Sequence, residues 1–144
     1  MTRELYINGK DAWTEWGVSM GDGFVDAIDA FVPMKEYIEN DSRLEHGKRV
    51  LVTTPRLASR ELTLHFTIKG VSEADFRSKR RAFENELRKG RVTVMVPALN
   101  DEVYHLLYLG RNVSYALNRS RTFAAISAKF EEPNPSDRTL HANP

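Results

Sequence analysis

Three aspartates near the N-terminus are the first side chains in the sequence that could bind a metal ion or catalyse a reaction. Asp22, Asp26 and Asp29 lie close together, and carboxylates can hold a divalent cation or act as an acid and base pair. A calcium-binding loop needs acidic residues at alternate positions, a glycine at the sixth and a distal glutamate, and this stretch does not supply them. We therefore expect a solvated loop here.

The histidines suggest no catalytic arrangement either. His65 and His105 fall in strand-like segments, where a single histidine is usually a surface residue or a satisfied core residue. The sequence has no cysteine, and it lacks the G-x-S-x-G, H-E-x-x-H and glycine-rich phosphate-loop motifs. We predict that the protein is not an enzyme and that it has no catalytic residue, metal or cofactor.

The charge balance argues against a nucleic-acid or membrane partner. The 21 basic and 20 acidic side chains give a formal net charge of +1, so the overall field does not attract a polyanion. The basic stretch RSKRRAFENELRKGR is interrupted by Glu84 and Glu86, which is typical of an exposed helix with internal ion pairs. No run approaches the ~20 apolar residues of a membrane span. We therefore expect neither nucleic acid nor a membrane as a partner.

Alternating apolar and polar residues predict at least six β-strands. The clearest is ELTLHFTIKG at 61–70, in which every second residue is apolar. The other predicted strands are ELYIN at 4–8, KRVLVTT at 48–54, RVTVMVP at 91–97, EVYHLLYLG at 102–110 and TFAAISAKFE at 122–131. In the last of these, the inner face is expected to hold Ala124, Ile126, Ala128 and Phe130. The fold class is therefore mainly β, of the α+β type.

One long helix is predicted over about 73–89. Ser72 can cap its N-terminus and Gly90 can end it. Its apolar stripe consists of Phe76, Phe83 and Leu87, so one side of the helix should cover the sheet. Arg80 falls about 40° from this stripe. Its side chain must either extend past the sheet to water or meet an acidic partner on another chain.

Residues 18–47 have no decisive period. We interpret Met34–Ile38 and Lys48–Val52 as the arms of a hairpin around a long polar tip. The hairpin is expected to project and to reach a neighbouring subunit through Tyr37, Ile38 and Leu44.

The chain is predicted to form a single domain over 1–132, followed by a tail. The stretch EEPNPSDRTLHANP contains three of the six prolines and few apolar residues. Residues 133–144 should therefore be extended or disordered.

The two tryptophans of the chain lie three positions apart, directly after the first predicted strand. Asp11 is a good helix N-cap and Gly17 a good C-cap, so one short helical turn would place Trp13 and Trp16 on the same side. Such a turn is too short to be stable alone. The rings must therefore be covered either by the core of this chain or by a neighbouring subunit.

Five short segments occur in an order and spacing that resemble a known family. They are INGKDAWTEWG, TTPRLASRELTLHFTIKG, LRKGRVTVMVP, VYHLLYLG and KFEEPNP, with the predicted helix between the second and the third. Over roughly residues 5–135 the sequence resembles the N-terminal domain of siphophage distal tail proteins, which also occur in prophages.

The resemblance implies an antiparallel β-sandwich or barrel-like domain with one flanking helix, which assembles as a hexameric ring. Its partners would be further copies of itself, the tail tube protein and the tail tip or hub proteins. The ring would be assembled in the bacterial host cytoplasm and would join the tube to the tip in the tail of the virion. The candidate contact residues are Trp13, Trp16, Tyr37, Ile38, Leu44 and Arg80.

Two alternatives remain open. One is a tail tube protein or another tail-ring protein with a related fold. The other, from a different class, is a small cytoplasmic hydrolase or binding module.

Overall fold

The computed structural model of the chain describes residues 3–35, 38–40, 49–51, 56–111 and 113–140. These residues form eleven strands and three helices. In chain order they are β1 (Tyr6–Ile7), β2 (Lys10–Asp11), α1 (Ala12–Trp16), β3 (Val18–Met20), α2 (Phe24–Ile28), β4 (Ile38–Asn40), β5 (Arg49–Leu51), β6 (Arg60–Lys69), α3 (Glu73–Leu87), β7 (Arg91–Met95), β8 (Glu102–Tyr108), β9 (Ser114–Leu117), β10 (Phe123–Glu132) and β11 (Arg138–Leu140).

Nine of the strands form one antiparallel sheet that curls into a half-barrel. Its order is β2-β1-β7-β8-β10-β6-β3, with β9 paired to β10 and β11 paired to β8. The longest ladder joins β6 to β10, from Phe123 opposite Lys69 to Glu132 opposite Arg60. The prediction of a mainly β, barrel-like α+β fold is confirmed.

The core lies on the face of this sheet that α2 and α3 contact through β6, and Phe66 of β6 is near its centre. The rings of Phe24, Phe83 and Phe130 lie 5.3, 5.3 and 6.1 Å from the Phe66 ring. These residues come from α2, α3 and β10. Alternate residues of β6 are buried from Arg60 to Ile68, which confirms the predicted half-buried strand. The predicted inner face of β10 is confirmed as well, with Ile126 the least buried of its four residues.

Helix α3 has the predicted limits and the predicted apolar stripe. Ser72 accepts a hydrogen bond from the Asp75 backbone nitrogen at 3.1 Å, and the chain leaves the helix through Gly90 at a φ of 90°. Its buried apolar residues are Phe76, Phe83 and Leu87. The helix starts very close to the end of β6, because a Cβ on Gly70 would lie 2.6 Å from the Phe76 nitrogen.

Two short helices accompany α3, so the expectation of one flanking helix is incomplete. Helix α1 has the predicted caps, since Asp11 accepts from the Trp13 nitrogen at 3.1 Å and Gly17 adopts a φ of 64°. Helix α2 lies in the stretch without a decisive period. It buries Phe24 and Ile28, one helical turn apart, against β6.

The predicted hairpin is present, and its first described strand covers Ile38–Asn40 rather than Met34–Ile38. Strands β4 and β5 form a separate two-stranded antiparallel sheet, in which Ile38 lies opposite Leu51. Met34 forms an isolated bridge with Leu57 at the base. Glu39 and Asn40 of the predicted polar tip, 39–47, belong to β4, and the rest of the tip lies outside the described residues.

The C-terminal tail needs a correction. Residues 138–140 are extended, but they form β11 on the edge of β8 instead of lying apart from the sheet. The side chain of Arg138 explains this placement, because it donates to the buried Glu132 at 2.9 and 3.0 Å. The folded unit therefore continues beyond residue 132.

Candidate assembly surfaces

The two tryptophans have different surroundings. Trp16 is 4% exposed, and its ring lies 5.8 Å from the ring of Phe83. It therefore belongs to the core of its own chain, one of the two alternatives that the sequence left open. Trp13 is only partly buried, so it alone of the pair offers surface to a neighbouring subunit.

Arg80 has partners within its own chain. Its Nη1 atom lies 3.3 Å from Oε1 of Glu84, one turn along α3. Its guanidinium carbon lies 5.1 Å from the centre of the Tyr115 ring on β9. The Nε atom of Arg80 is buried and has no hydrogen-bond partner among the described residues. The side chain thus extends across the space between α3 and β9.

That space is an apolar groove, which we call the α3–β9 groove. Its lining residues are Arg80, Phe83, Glu84, Leu87, Tyr108, Val113, Tyr115 and Ile126. Val113 and Tyr115 are half-exposed. The cavity volume is about 80 Å³, well below the ~300–1,000 Å³ of pockets for drug-sized ligands. The groove therefore fits a single side chain better than a small-molecule substrate.

Phe31, just after α2, is the most exposed large apolar side chain of the described chain. It is 98% exposed, whereas phenylalanine is among the residues most often buried. Met34 and Leu57, which form the bridge at the base of the hairpin, are also exposed. Exposed apolar groups of this kind can mark a protein interaction site.

The charges around these two surfaces have opposite signs. Asp22, Asp26 and Asp29, which we call the α2 acidic face, are exposed and form no ion pair with another described side chain. Arg77 and Arg81 on α3 are exposed and likewise lack an ion pair within the described ranges. The predicted stretch is solvated, but it contains a helix instead of being a loop throughout: Asp26 lies on α2, and Asp22 and Asp29 flank it.

A buried ionic cluster fixes the backbone next to Phe31. Arg60 donates to the carbonyl oxygens of Ile28 and Ala30 at 2.9 Å each. Its Nε atom donates to Oε1 of Glu132 at 2.7 Å. These bonds satisfy carbonyls at the end of α2, and they hold the residue before Phe31 against β6.

Glu132 remains ionised in this cluster. Burial alone would raise the pKa of Glu132, but hydrogen bonds from Arg138 and Arg60 and the charges of both arginines lower it below its ordinary value. The centre of the Tyr104 ring lies 4.6 Å from the guanidinium carbon of Arg138 and 5.9 Å from that of Arg60. No local pattern in the sequence indicates these residues, because they meet only through the register of the sheet.

The remaining predicted contact residues are only partly covered. Tyr37 and Leu44 lie outside the described residues, and Ile38 is described only as a backbone position of β4. Among the described residues, no group of three or more His, Asp or Glu side chains could hold a metal ion. None of the helices in those ranges is long and apolar enough to cross a membrane.

Comparison with known proteins finds similarity among the solved structures. No protein-family model matches the sequence, and no curated protein matches it. The fold is similar to the crystal structure of the SPP1 Dit protein, with a TM-score of 0.58 and 17% sequence identity. The match covers 92% of this chain and 50% of that chain, so this chain spans about half the length of the protein it matches. At this identity, the likeness establishes a shared fold.

Proposed function

We propose that this chain is a structural, ring-forming subunit of a phage tail that joins the tail tube to the tail tip. The observation that carries the proposal is the fold, which is shared with SPP1 Dit over 92% of the chain. That protein is described as a paradigm of the hub adsorption apparatus in phages that infect Gram-positive bacteria. The order of the sequence motifs, which resembles distal tail proteins over roughly residues 5–135, supports the same assignment independently of the structure.

The surfaces of the domain suit a ring. A closed ring of identical subunits needs a heterologous interface, in which each subunit offers two different complementary surfaces. The exposed Phe31 beside the α2 acidic face and the α3–β9 groove beside Arg77 and Arg81 are two such surfaces. The groove encloses only about 80 Å³, a volume suited to one side chain of a neighbouring subunit.

The partners follow from the same proposal. Six copies would form the ring, the tail tube protein would contact one side, and the tip or hub proteins would contact the other. The protein would be located in the tail of the virion after assembly in the host cytoplasm. The six-fold number comes from the resemblance of the motifs to distal tail proteins.

Mass and shape in solution test the proposal. We expect light scattering on the purified chain to show a species of about six times the 16.5 kDa subunit mass, and negative-stain images to show single rings. Long stacked tubes would favour the tail tube protein instead. A chain that stays monomeric up to the highest soluble concentration would contradict a self-assembling role.

A further inference from the structure

We propose that the side chain of Phe31 in one copy of this chain enters the α3–β9 groove of the next copy, and that this contact closes the ring. The inference rests on the proposed ring function and specifies its interface. Its partner is therefore a second copy of the same chain, bound through a different surface on each side.

Buried hydrogen bonds hold the backbone next to Phe31 in place. The residue before it, Ala30, has its carbonyl oxygen bound by the Nη1 atom of Arg60 at 2.9 Å. Arg60 is itself 5% exposed and bound to the fully buried Glu132. The 98% exposed ring therefore stands on a backbone that is tied to the core of the sheet. Because this backbone is already ordered, binding through Phe31 loses little backbone conformational entropy.

The α3–β9 groove has the size and chemistry to receive one aromatic ring. Its floor is formed by apolar side chains such as Phe83, Tyr108 and Ile126, and its cavity encloses about 80 Å³. Arg80 crosses it beside the half-exposed Tyr115. A phenyl ring in the groove would therefore contact aromatic faces and a guanidinium plane, both of which pack favourably on aromatic rings.

Charge complementarity selects a second copy as the occupant. The α2 acidic face precedes Phe31 in the sequence: Asp26 lies on α2, and Asp29, two residues before Phe31, is the C-cap of that helix. Arg80 and Glu84 of α3 line the groove. Arg77 lies one helical turn before Arg80, and Arg81 lies one turn before Glu84. Docking Phe31 would bring unpaired carboxylates towards unpaired guanidinium groups, and complementary charges of this kind fix the orientation of an interface.

Phe31 does not fill the groove of its own chain, because its ring is 98% exposed there. Helix α2 packs on β6, whereas β9 pairs with the other edge of β10. No residue lines both the groove and the depression around Phe31. A contact between them must therefore join two copies head to tail, which generates a ring when the rotation closes.

Variants that remove one surface each test the contact. Phe31→Ser removes the ring, and Val113→Trp fills the groove from a half-exposed position. We expect each variant to fold and to be monomeric at the concentration where the wild type assembles. Assembly should need a roughly 30-fold or higher concentration than for the wild type, as for loss of an interface hot spot. A mixture of the two should give a dimer of twice the subunit mass and nothing larger, because only one productive contact remains. Val71→Ser, at another exposed apolar residue (91%), is the matched control and should assemble normally.

Cross-linking supplies a readout that does not depend on those substitutions. The chain has no cysteine, so in an Ala30→Cys, Val113→Cys variant, which keeps Phe31, any disulfide between copies must join these two positions or two equal ones. Oxidation should give a ladder of covalent multimers that ends at the ring, whereas each single-cysteine variant should stop at a dimer.

The outcomes separate the two proposals. A wild-type chain that stays monomeric overturns the ring and this contact with it. If the wild type forms rings, the Phe31→Ser variant forms them equally well, and the double-cysteine variant gives no ladder, this contact alone is overturned. In that case the ring function stands, and Phe31 is left for a different tail protein.

Discussion

The Nε atom of Arg60 lies 2.7 Å from Oε1 of Glu132, and both side chains are buried. The two residues are directly opposite each other on β6 and β10. Arg138 of β11 donates to the same carboxylate at 2.9 Å. One buried negative charge therefore binds the long ladder, the end of α2 and the C-terminal strand together.

Replacing Glu132 with Gln should strongly destabilise the fold. Glutamine keeps the shape of the side chain but leaves the buried Arg60 without a counter-charge and leaves Arg138 with only Glu102, at 3.6 Å. Breaking a buried ion pair in this way costs about 3–5 kcal/mol. Urea unfolding followed by far-UV circular dichroism measures the loss.

The control is Glu61→Gln on β6, because Glu61 is half-exposed and pairs at 3.8 Å with Arg111 and Lys129. It should change the free energy of unfolding by about 1 kcal/mol or less, and equal effects of the two variants would contradict a special role for Glu132.

Acid should weaken the wild-type fold through the same carboxylate. The pKa of Glu132 is lowered in the folded state, so the folded protein takes up this proton less readily than the unfolded chain does. Its contribution to stability is therefore complete above the ordinary glutamate pKa of about 4.3 and is lost as the pH falls through the lowered folded pKa. We expect the stability difference between wild type and Glu132→Gln to shrink from neutral pH to about pH 3. The lowered pKa values of Asp75 and Glu86 affect both proteins equally, and a difference that stays constant over this range would contradict the assignment.

The sequence predicted those elements whose information is local. Strand β6 alternates because one face is buried, and α3 carries its own cap, stripe and terminating glycine, so both could be located without a structure. Helix α2 has only Phe24 and Ile28 as an apolar pair, and its N-cap is a glycine without a side chain to bond the first turn. Its pattern is too short to be distinguished from a loop.

The candidate surfaces depend on long-range geometry that no local pattern contains. Arg60 and Glu132 are 72 residues apart, and they meet only because β6 and β10 pair in one particular register. Strand β11 is held by Arg138 rather than by apolar alternation. Phe31 lies in a stretch without a decisive period, and its exposure is the reverse of what its residue type indicates.

Replacing Phe83 with Ala should destabilise the core where α3 meets the sheet. Phe83 is 1% exposed, and its ring lies 5.3 Å from Phe66 and 5.8 Å from Trp16. Removing the ring loses buried area and leaves a cavity, at a cost of about 3–5 kcal/mol. The control is the same substitution at the exposed Phe31, which should change stability by about 0.5 kcal/mol or less. Both are measured by denaturant unfolding at concentrations where the chain is monomeric. Similar midpoints for Phe83→Ala and wild type would show that the stripe does not face the core.

The two tryptophans should report separately on the core and on assembly. In the Trp13→Phe variant, Trp16 is the only indole, and it is buried against Phe83. Its emission should therefore be blue-shifted, resist acrylamide quenching and stay unchanged on assembly.

In the Trp16→Phe variant, the partly exposed Trp13 should be quenched by acrylamide in dilute solution. If Trp13 lies at the contact between copies, its emission should shift to the blue and lose quenching as the high-mass species appears in light scattering, because burial at an interface excludes water from the ring. Quenching of Trp13 that is equal in monomer and ring would remove it from the interface and leave its partial burial to its own chain.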